Sequence, residues 1–341
     1  MGQVRKKAVI TGASGGVGRA TAVAFARSGF DVALLARGDA GLSAAREEVE
    51  ALGGAALAVE VDVADAGAVA RAAQRVEDDL GEVDVWVNNA MTTVFAPSWE
   101  LVPADFQRAV EVTFLGQVWG TMAALRHMRP RDRGSIVNVG SALAFVGIPL
   151  QSAYCSAKFA CRGFFESTRA ELLHEQSGVH LSMVHLPAVN TPQFGWCQTT
   201  FDRHPQPVPP IYQPETAARA ILQVALDGRR EKVLGSWNKV LVACDSLFRG
   251  VGDHYAAMAA WDSQFTDQPI DPDRPANLRH PVDRVADRGS HGIFDKWAGG
   301  FWDPSFLHGL PRTARLFAAA VAGNASERAR ALRARAARPA G

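Results

Sequence analysis

KAVITGASGGVGRA, residues 7–20, is the stretch that decides the fold. Its first half, Lys7–Thr11, is an apolar, β-branched run that reads as a strand. Its second half opens a helix, with Val17, Ala20, Thr21, Ala24 and Phe25 recurring at helical spacing. Between the two sit Gly12, Gly15, Gly16 and Gly18, with Ser14 among them. Glycines let the backbone turn tightly and approach a pyrophosphate closely, and the helix N-terminus presents free N–H groups and a positive dipole end to it. Ser14 adds a hydroxyl donor. The spacing is not GxGxxG, but the mechanics are the same. An ordinary glycine-rich turn is the plain alternative; the position between the first strand and the first helix favours a nucleotide cradle.

Outward from this loop, short β-rich runs alternate with longer helical patterns to about residue 235. Strands are expected at Asp31–Ala36, Ala55–Val61, Val83–Asn88, Ser135–Val139, His180–His185 and Lys232–Leu234. Helices are expected at Asp39–Leu52, Asp65–Leu80, Pro103–Met128, Ser152–His174 and Pro214–Leu226. The strands are continuously apolar, so both sheet faces are covered, and their alternation with helices means right-handed βαβ units. The fold class is therefore α/β, a doubly wound parallel sheet of about seven strands. Residues 1–250 read as this α/β domain and 251–341 as a partly irregular extension. Two regions break the rhythm. Thr191–Pro214, rich in Pro and aromatic residues, has the character of a lid. Asp267–Pro281 is Asp/Pro-rich and reads as irregular, though Trp261, Trp297, Phe301 and Trp302 imply packing nearby; the Ala/Arg-rich tail, Ser326–Gly341, reads as a marginal helix or a frayed end.

Composition narrows the function classes. The formal net charge of +1 over 341 residues gives no electrostatic argument for nucleic acid or an anionic membrane as partner. Cys155, Cys161, Cys197 and Cys244 form no CxxC pair and no zinc-ligand spacing, and read as free thiols. No secretory segment or membrane span is evident, and Lys6 stands where a myristoylation signal has Ser or Thr. A cytoplasmic location is expected.

With these residues in place, the chain resembles the short-chain dehydrogenase/reductase family, a group with a Rossmann-type fold. Thr11, Gly12, Gly16 and Gly18 meet its TGxxxGxG pattern. Asp62 and Val63 follow the third strand, where the family borders the adenine. Asn88-Asn89-Ala90 ends the fourth strand as the family's NNAG does, with Met91 in place of the last Gly. Ser141 follows the fifth strand, and Tyr154-Cys-Ser-Ala-Lys158 matches YxxxK. Val189 and Thr191 lie where the family contacts the nicotinamide carboxamide. The resemblance covers about residues 5–235. One position departs from it: Thr113, in Val112-Thr113-Phe114-Leu115-Gly116, replaces the Asn that kinks the long helix and holds a relay water.

The resemblance implies a catalytic Ser141, Tyr154 and Lys158, and a cofactor site of Gly12, Ser14, Gly15, Gly16, Val17, Gly18, Arg37, Asp62, Val63, Asn89, Tyr154, Lys158, Val189 and Thr191. Tyr154 and Lys158, four apart on a helix, share a face. A nearby ammonium is expected to lower the phenol's pKa from about 10. Ser141 is expected to donate to the substrate oxygen. His174, His180 and His185 have no partners at motif spacing and read as structural or exposed. At the end of the second strand, Ala36 stands where NAD-selective chains place an acid, and Arg37 follows it. An arginine fork suits a 2′-phosphate, so NADP(H) is expected over NAD(H), with Asp39 the opposing sign.

Leu143, Phe145, Ile148, Pro149, Leu150 and Phe95, with the lid aromatics, are expected to line an apolar pocket for a lipophilic carbonyl or alcohol. The family's habit implies a homodimer or homotetramer through the long helices. Two other readings stay open: a non-catalytic NADP(H)-binding scaffold, and an imine or enoyl reductase of the same fold.

Overall fold

The computed structural model describes residues 5–236, 238–239, 242, 253–254, 256–258, 260–271 and 273–298. Cys244, Phe301, Trp302 and the Ser326–Gly341 stretch lie outside the described residues.

Seven parallel strands form the sheet: β1 Lys6–Thr11, β2 Phe30–Ala36, β3 Ala56–Glu60, β4 Val85–Asn88, β5 Gly134–Ser141, β6 Val179–Leu186 and β7 Glu231–Val233. Their order is β7-β6-β5-β4-β1-β2-β3. The chain winds outward from β1 in one direction, then returns to start again beside it at β4. Connections on either side of that switch diverge, leaving a crevice outside the strands' C-terminal ends. The helices cover both faces. On one, α1 Gly16–Arg27 and α2 Asp39–Ala51 bury Phe25, Leu42 and Val49 over β1, β2 and β3, and α7 Pro214–Asp227 buries Ile221 and Val224 over β5 and β6. On the other, α3 Ala66–Leu80, α5 Gly116–Met128 and α6 Ser152–His174 bury Val69, Val76, Met128, Cys161 and Phe165 against Trp86, Ile136 and Leu181. This double burial is what the continuous apolar strands require. The Asp65 side chain accepts the Ala68 N–H and starts α3, and Gly228 at φ +61° ends α7.

Two elements differ from the sequence expectation. The helix expected over Pro103–Met128 is interrupted: α4 Pro103–Val110 is followed by a π-helical turn, Glu111–Leu115, before α5 begins. The extra residue in that turn shifts the helix phase, and helical periodicity in sequence does not register a one-residue insertion. Overlapping the start of the stretch expected to be irregular, Phe265–Pro269 is a short strand that pairs antiparallel with Arg203–Pro205 of the lid. The segment after residue 260 therefore packs on the lid. Phe294 and Ala298 share a buried cluster with Phe95, Phe194, Cys197 and Ile211, and Trp261 stacks on Trp99.

Candidate active site

The glycine loop lies at the switch point. Gly12 has φ +67° and Gly16 φ +55°, left-handed conformations that side chains with a Cβ rarely adopt. At Gly18 a Cβ would stand 2.0 Å from the Gly12 carbonyl oxygen and 2.6 Å from Asn89 Nδ2. Thr11 and Asn89 hold the loop to β4. The Thr11 hydroxyl accepts the Asn89 and Ala90 N–H groups at 2.9 and 3.0 Å, and Asn89 Nδ2 donates to the Thr11 carbonyl at 3.0 Å. The loop is thus a backbone cradle whose geometry fits the phosphates of a dinucleotide, with the Trp196 ring and the Gly289 carbonyl oxygen each 3.3 Å from where a Gly15 Cβ would stand.

A cavity of about 330 Å³ opens on this loop. Gly12, Ser14, Gly15, Gly16 and Val17 line it, together with Asn89, Val189 and Thr191 and with Ser141, Tyr154 and Lys158. Leu143 and Ile148 line it, as do Phe194 and Trp196 of the lid, and among the described lining residues Lys158 alone is charged. Phe95, Phe145, Pro149 and Leu150 do not line it. Phe95 is buried under the lid beside Phe194 and Phe265, and Phe145 packs on His185.

Tyr154 and Lys158 come from the first two turns of α6, and Ser141 is the last residue of β5. The Ser141 hydroxyl hydrogen-bonds Tyr154 and accepts the Leu143 N–H at 3.1 Å. Lys158, 2% exposed, donates to the Val139 carbonyl at 2.7 Å, with its Nζ 5.6 Å from the Tyr154 ring centroid. The sequence leads one to expect a lowered Tyr154 pKa. Here it is raised: the hydroxyl is desolvated, and the Ser141 hydrogen bond only partly offsets that cost. Burial acts oppositely on the two charge types, so Lys158 is lowered. Cys155, Cys161 and Cys197 are buried, unpaired thiols; burial pushes Cys161 up to about 11 and Cys197 up to about 12.

Arg37, Asp62 and Val63 lie outside the cavity lining. A strap from the C-terminal segment crosses this end of the crevice. The Arg37 guanidinium donates to the carbonyls of Asn277 at 2.5 Å, Arg279 at 3.1 Å and Leu278 at 3.4 Å, and to Asn277 Oδ1 at 3.0 Å. Asp62 pairs with Arg108, which also donates to the Leu278 carbonyl at 3.2 Å. Burial opposes the Asp62 charge, but Arg108 and the Ala64 N–H outweigh it and keep that carboxyl below its ordinary range. Further along, the Asp283 carbonyl accepts the Gly41 N–H, and the Gly289 carbonyl accepts the Gly16 N–H of the loop itself at 3.1 Å. A Cβ at Gly38 would stand 1.9 Å from Asp283 Oδ1, so the strap seats where Gly38 has no side chain.

The model of the short chain dehydrogenase family matches residues 6–198. The chain belongs to that family. An uncharacterised oxidoreductase of Bacillus subtilis is 34% identical over 285 residues, 83% of this chain and 80% of that one. A 3-dehydrosphinganine reductase of Danio rerio is 29% identical over 64% of this chain and 68% of its own length. An alcohol dehydrogenase of the archaeon Thermococcus sibiricus, solved with 5-hydroxy-NADP, superposes with a TM-score of 0.59 at 29% identity, covering 67% of this chain and 95% of that one. This short-chain dehydrogenase is thus an oxidoreductase with a nucleotide-binding Rossmann fold. Among the described residues no helix is long and apolar enough to cross a membrane, and no group of three or more His, Cys, Asp or Glu could hold a metal ion.

Two buried positions lie near the site. Thr113 lies in the π-helical turn, fully buried. Its hydroxyl donates to the Thr92 carbonyl at 2.8 Å and accepts the Thr92 N–H at 3.0 Å. The side chain is therefore committed to the loop after β4, while the Thr113 carbonyl accepts from Cys161 Sγ at 3.3 Å. Thr113→Val keeps the shape and strands both Thr92 groups in the interior. It is expected to cost about 2–4 kcal/mol of unfolding free energy, measured by denaturant titration; a change below about 0.5 kcal/mol would contradict the lock.

The second is His185, read from sequence as structural or exposed. It is fully buried, with Nδ1 3.1 Å from the Ser141 carbonyl oxygen and Nε2 2.6 Å from Glu231 Oε1. Glu231 is 46 residues further on, at the start of the neighbouring strand, so no motif spacing could pair them.

Proposed function

We propose that the chain is an NADP(H)-dependent oxidoreductase that interconverts an alcohol and a ketone or aldehyde. One observation carries this: Ser141, Tyr154 and Lys158 line the same cavity as the glycine loop. The bound nicotinamide supplies the hydride in reduction and accepts it in oxidation. Gly12, Ser14, Gly15, Gly16, Val17 and Gly18 would hold the phosphates, with Asn89, Val189 and Thr191 along the nicotinamide half and Asp62 and Val63 beside the adenine.

In reduction, the Tyr154 hydroxyl gives its proton to the substrate oxygen; in oxidation the phenolate takes it back. Ser141 donates a hydrogen bond to that oxygen and stabilises the charge developing on it. The Lys158 ammonium stabilises the phenolate left behind. Leu143, Ile148, Phe194 and Trp196 in a lining whose polar residues, Lys158 apart, are uncharged among the described residues favour an uncharged substrate with a lipophilic part. Long-chain amino ketones, suggested by the sphinganine-reducing relative, belong in the test panel. The test is NADPH oxidation followed by absorbance across apolar ketones and aldehydes, with polyols and charged keto acids as controls. Turnover confined to the controls would reject the reading.

For the cofactor, Arg37 is the anion partner. Its fork would exchange neutral backbone carbonyls for a 2′-phosphate, a charge-assisted and stronger acceptor. The alcohol dehydrogenase solved with an NADP analogue supports the assignment. Arg37→Ala is expected to lower the kcat/KM ratio of NADPH to NADH about 10- to 100-fold, the worth of a hydrogen-bonded charge pair. An unchanged ratio would remove Arg37 from the site. A homodimer or homotetramer through α4–α5 and α6 accords with Met122, Phe159 and Leu173, large apolar side chains left exposed on α5 and α6; light scattering measures it.

A further inference from the structure

We propose that His185 and Glu231 clamp the backbone of Ser141, and that His185 is a positioning residue for the chemistry assigned above, on which this inference rests. Ser141 is where β5 ends and the chain turns into a 3-10 turn, Ala142–Ala144. A serine there owes the direction of its hydroxyl to the peptide that follows it. The carbonyl of that peptide faces Nδ1 of His185 at 3.1 Å. A carbonyl and an ionised carboxylate both only accept, so Nδ1 donates to Ser141 and Nε2 to Glu231. On the opposite side of the ring, Nε2 meets Glu231 Oε1 at 2.6 Å. Two polar contacts at opposite corners fix both the plane and the tilt of the imidazole, as a carboxylate fixes a histidine elsewhere in enzymes.

The surroundings are built for this ring. Gly140 pairs with His185 in the β5–β6 register. A Cβ at Gly140 would stand 2.7 Å from His185 Nδ1, so the ring crosses the neighbouring strand where no side chain stands in its way. Phe145 packs edge-on against it with centroids 4.6 Å apart, and the Arg162 guanidinium lies 4.1 Å from the centroid of Phe145. Arg230 holds the second oxygen of Glu231. The His185 contact holds the Glu231 carboxyl below its ordinary range. A buried histidine serving only to fill space needs neither a glycine opposite it nor a carboxylate behind it.

The test separates the contact to Ser141 from the contact to Glu231. Asn places its amide nitrogen where His has Nδ1, and Gln places its own nearer Nε2. His185→Asn is expected to keep kcat within about 3-fold of wild type, whereas His185→Gln and His185→Leu lose about 10- to 100-fold in kcat. KM for NADPH should move less than about 2-fold in all three, because His185 is remote from the phosphate loop. Equal kcat for the Asn and Gln variants overturns the proposal. Glu231→Ala, at a half-buried strand end, covers the event that the core variants fail to fold: it is expected to lower kcat about 5-fold, and wild-type kcat overturns the clamp. A readout without turnover is the imidazole Nδ1–H proton by NMR, expected to be exchange-protected in the wild type and lost in Glu231→Ala; its absence from the wild type overturns the proposal. A wild type that turns over no carbonyl rejects the oxidoreductase reading instead, and the NMR result then decides the clamp alone.

Discussion

Tyr154→Phe is expected to lower carbonyl reduction about 10³-fold while leaving NADPH affinity and the melting temperature near wild type. The change removes one oxygen. It leaves the ring in the cavity wall and the Lys158 Nζ bonded to Val139. What disappears is the group able to protonate the substrate oxygen as hydride arrives. The Ser141 hydroxyl remains as a donor, so some polarisation of the carbonyl survives and the loss is finite. The raised Tyr154 pKa adds a sign to the pH profile. Reduction needs the protonated phenol, which burial favours, so its rate stays level from neutral into alkaline solution. Oxidation needs the phenolate, so its rate climbs with pH over the same range. Steady-state rates in both directions measure this. A Tyr154→Phe enzyme with wild-type kcat, or a reduction rate that falls sharply just above neutrality, would remove Tyr154 from the proton's path.

The loop at Gly12–Gly18 and the sheet around it were legible because their physics is local. A strand wanting burial on both faces shows as an unbroken apolar run, and a backbone turning at positive φ shows as glycine. Thr113 was legible as a departure but not as a lock, since its partner is the main chain of Thr92, and a backbone group carries no residue signature. The strap was hidden for the same reason on a larger scale. Arg37 meets carbonyls of Asn277, Leu278 and Arg279, some 240 residues away, and an Asp/Pro-rich stretch offers carbonyls without announcing whom they serve. His185 was legible only as structural or exposed, because its contacts depend on strand register. Only when β5, β6 and β7 lie side by side do Gly140, His185 and Glu231 become neighbours. Phe95 and Phe145 failed as pocket residues because sequence shows that an aromatic ring is near a site, not which side of the backbone it takes.

Lys158→Met should lower kcat about 10²- to 10³-fold and, against the usual direction for a substitution in the interior, stabilise the fold by about 1–3 kcal/mol at neutral pH. Lys158 is 2% exposed and has no carboxylate partner among its contacts; its bond is to the Val139 carbonyl. That carbonyl also receives the Gln117 amide at 2.8 Å, so it stays satisfied when the ammonium goes. Met is close in length, apolar and flexible enough to fill the same channel. The desolvation of the ammonium is therefore removed with little lost in return. Burial lowers the Lys158 pKa, so the folded chain releases this proton at a lower pH than the unfolded chain. Between those two values the unfolded state binds more protons, and stability rises with pH. Below them the whole cost of the buried charge is carried. The advantage of the Met variant is thus full below the lowered folded-state pKa and shrinks as pH climbs from there towards the ordinary lysine range. Denaturant titrations of both proteins along a pH series measure it. A Met variant less stable than wild type at neutral pH would mean that the ammonium is held by more than the one carbonyl, and that its charge stabilises the fold as well as the reaction.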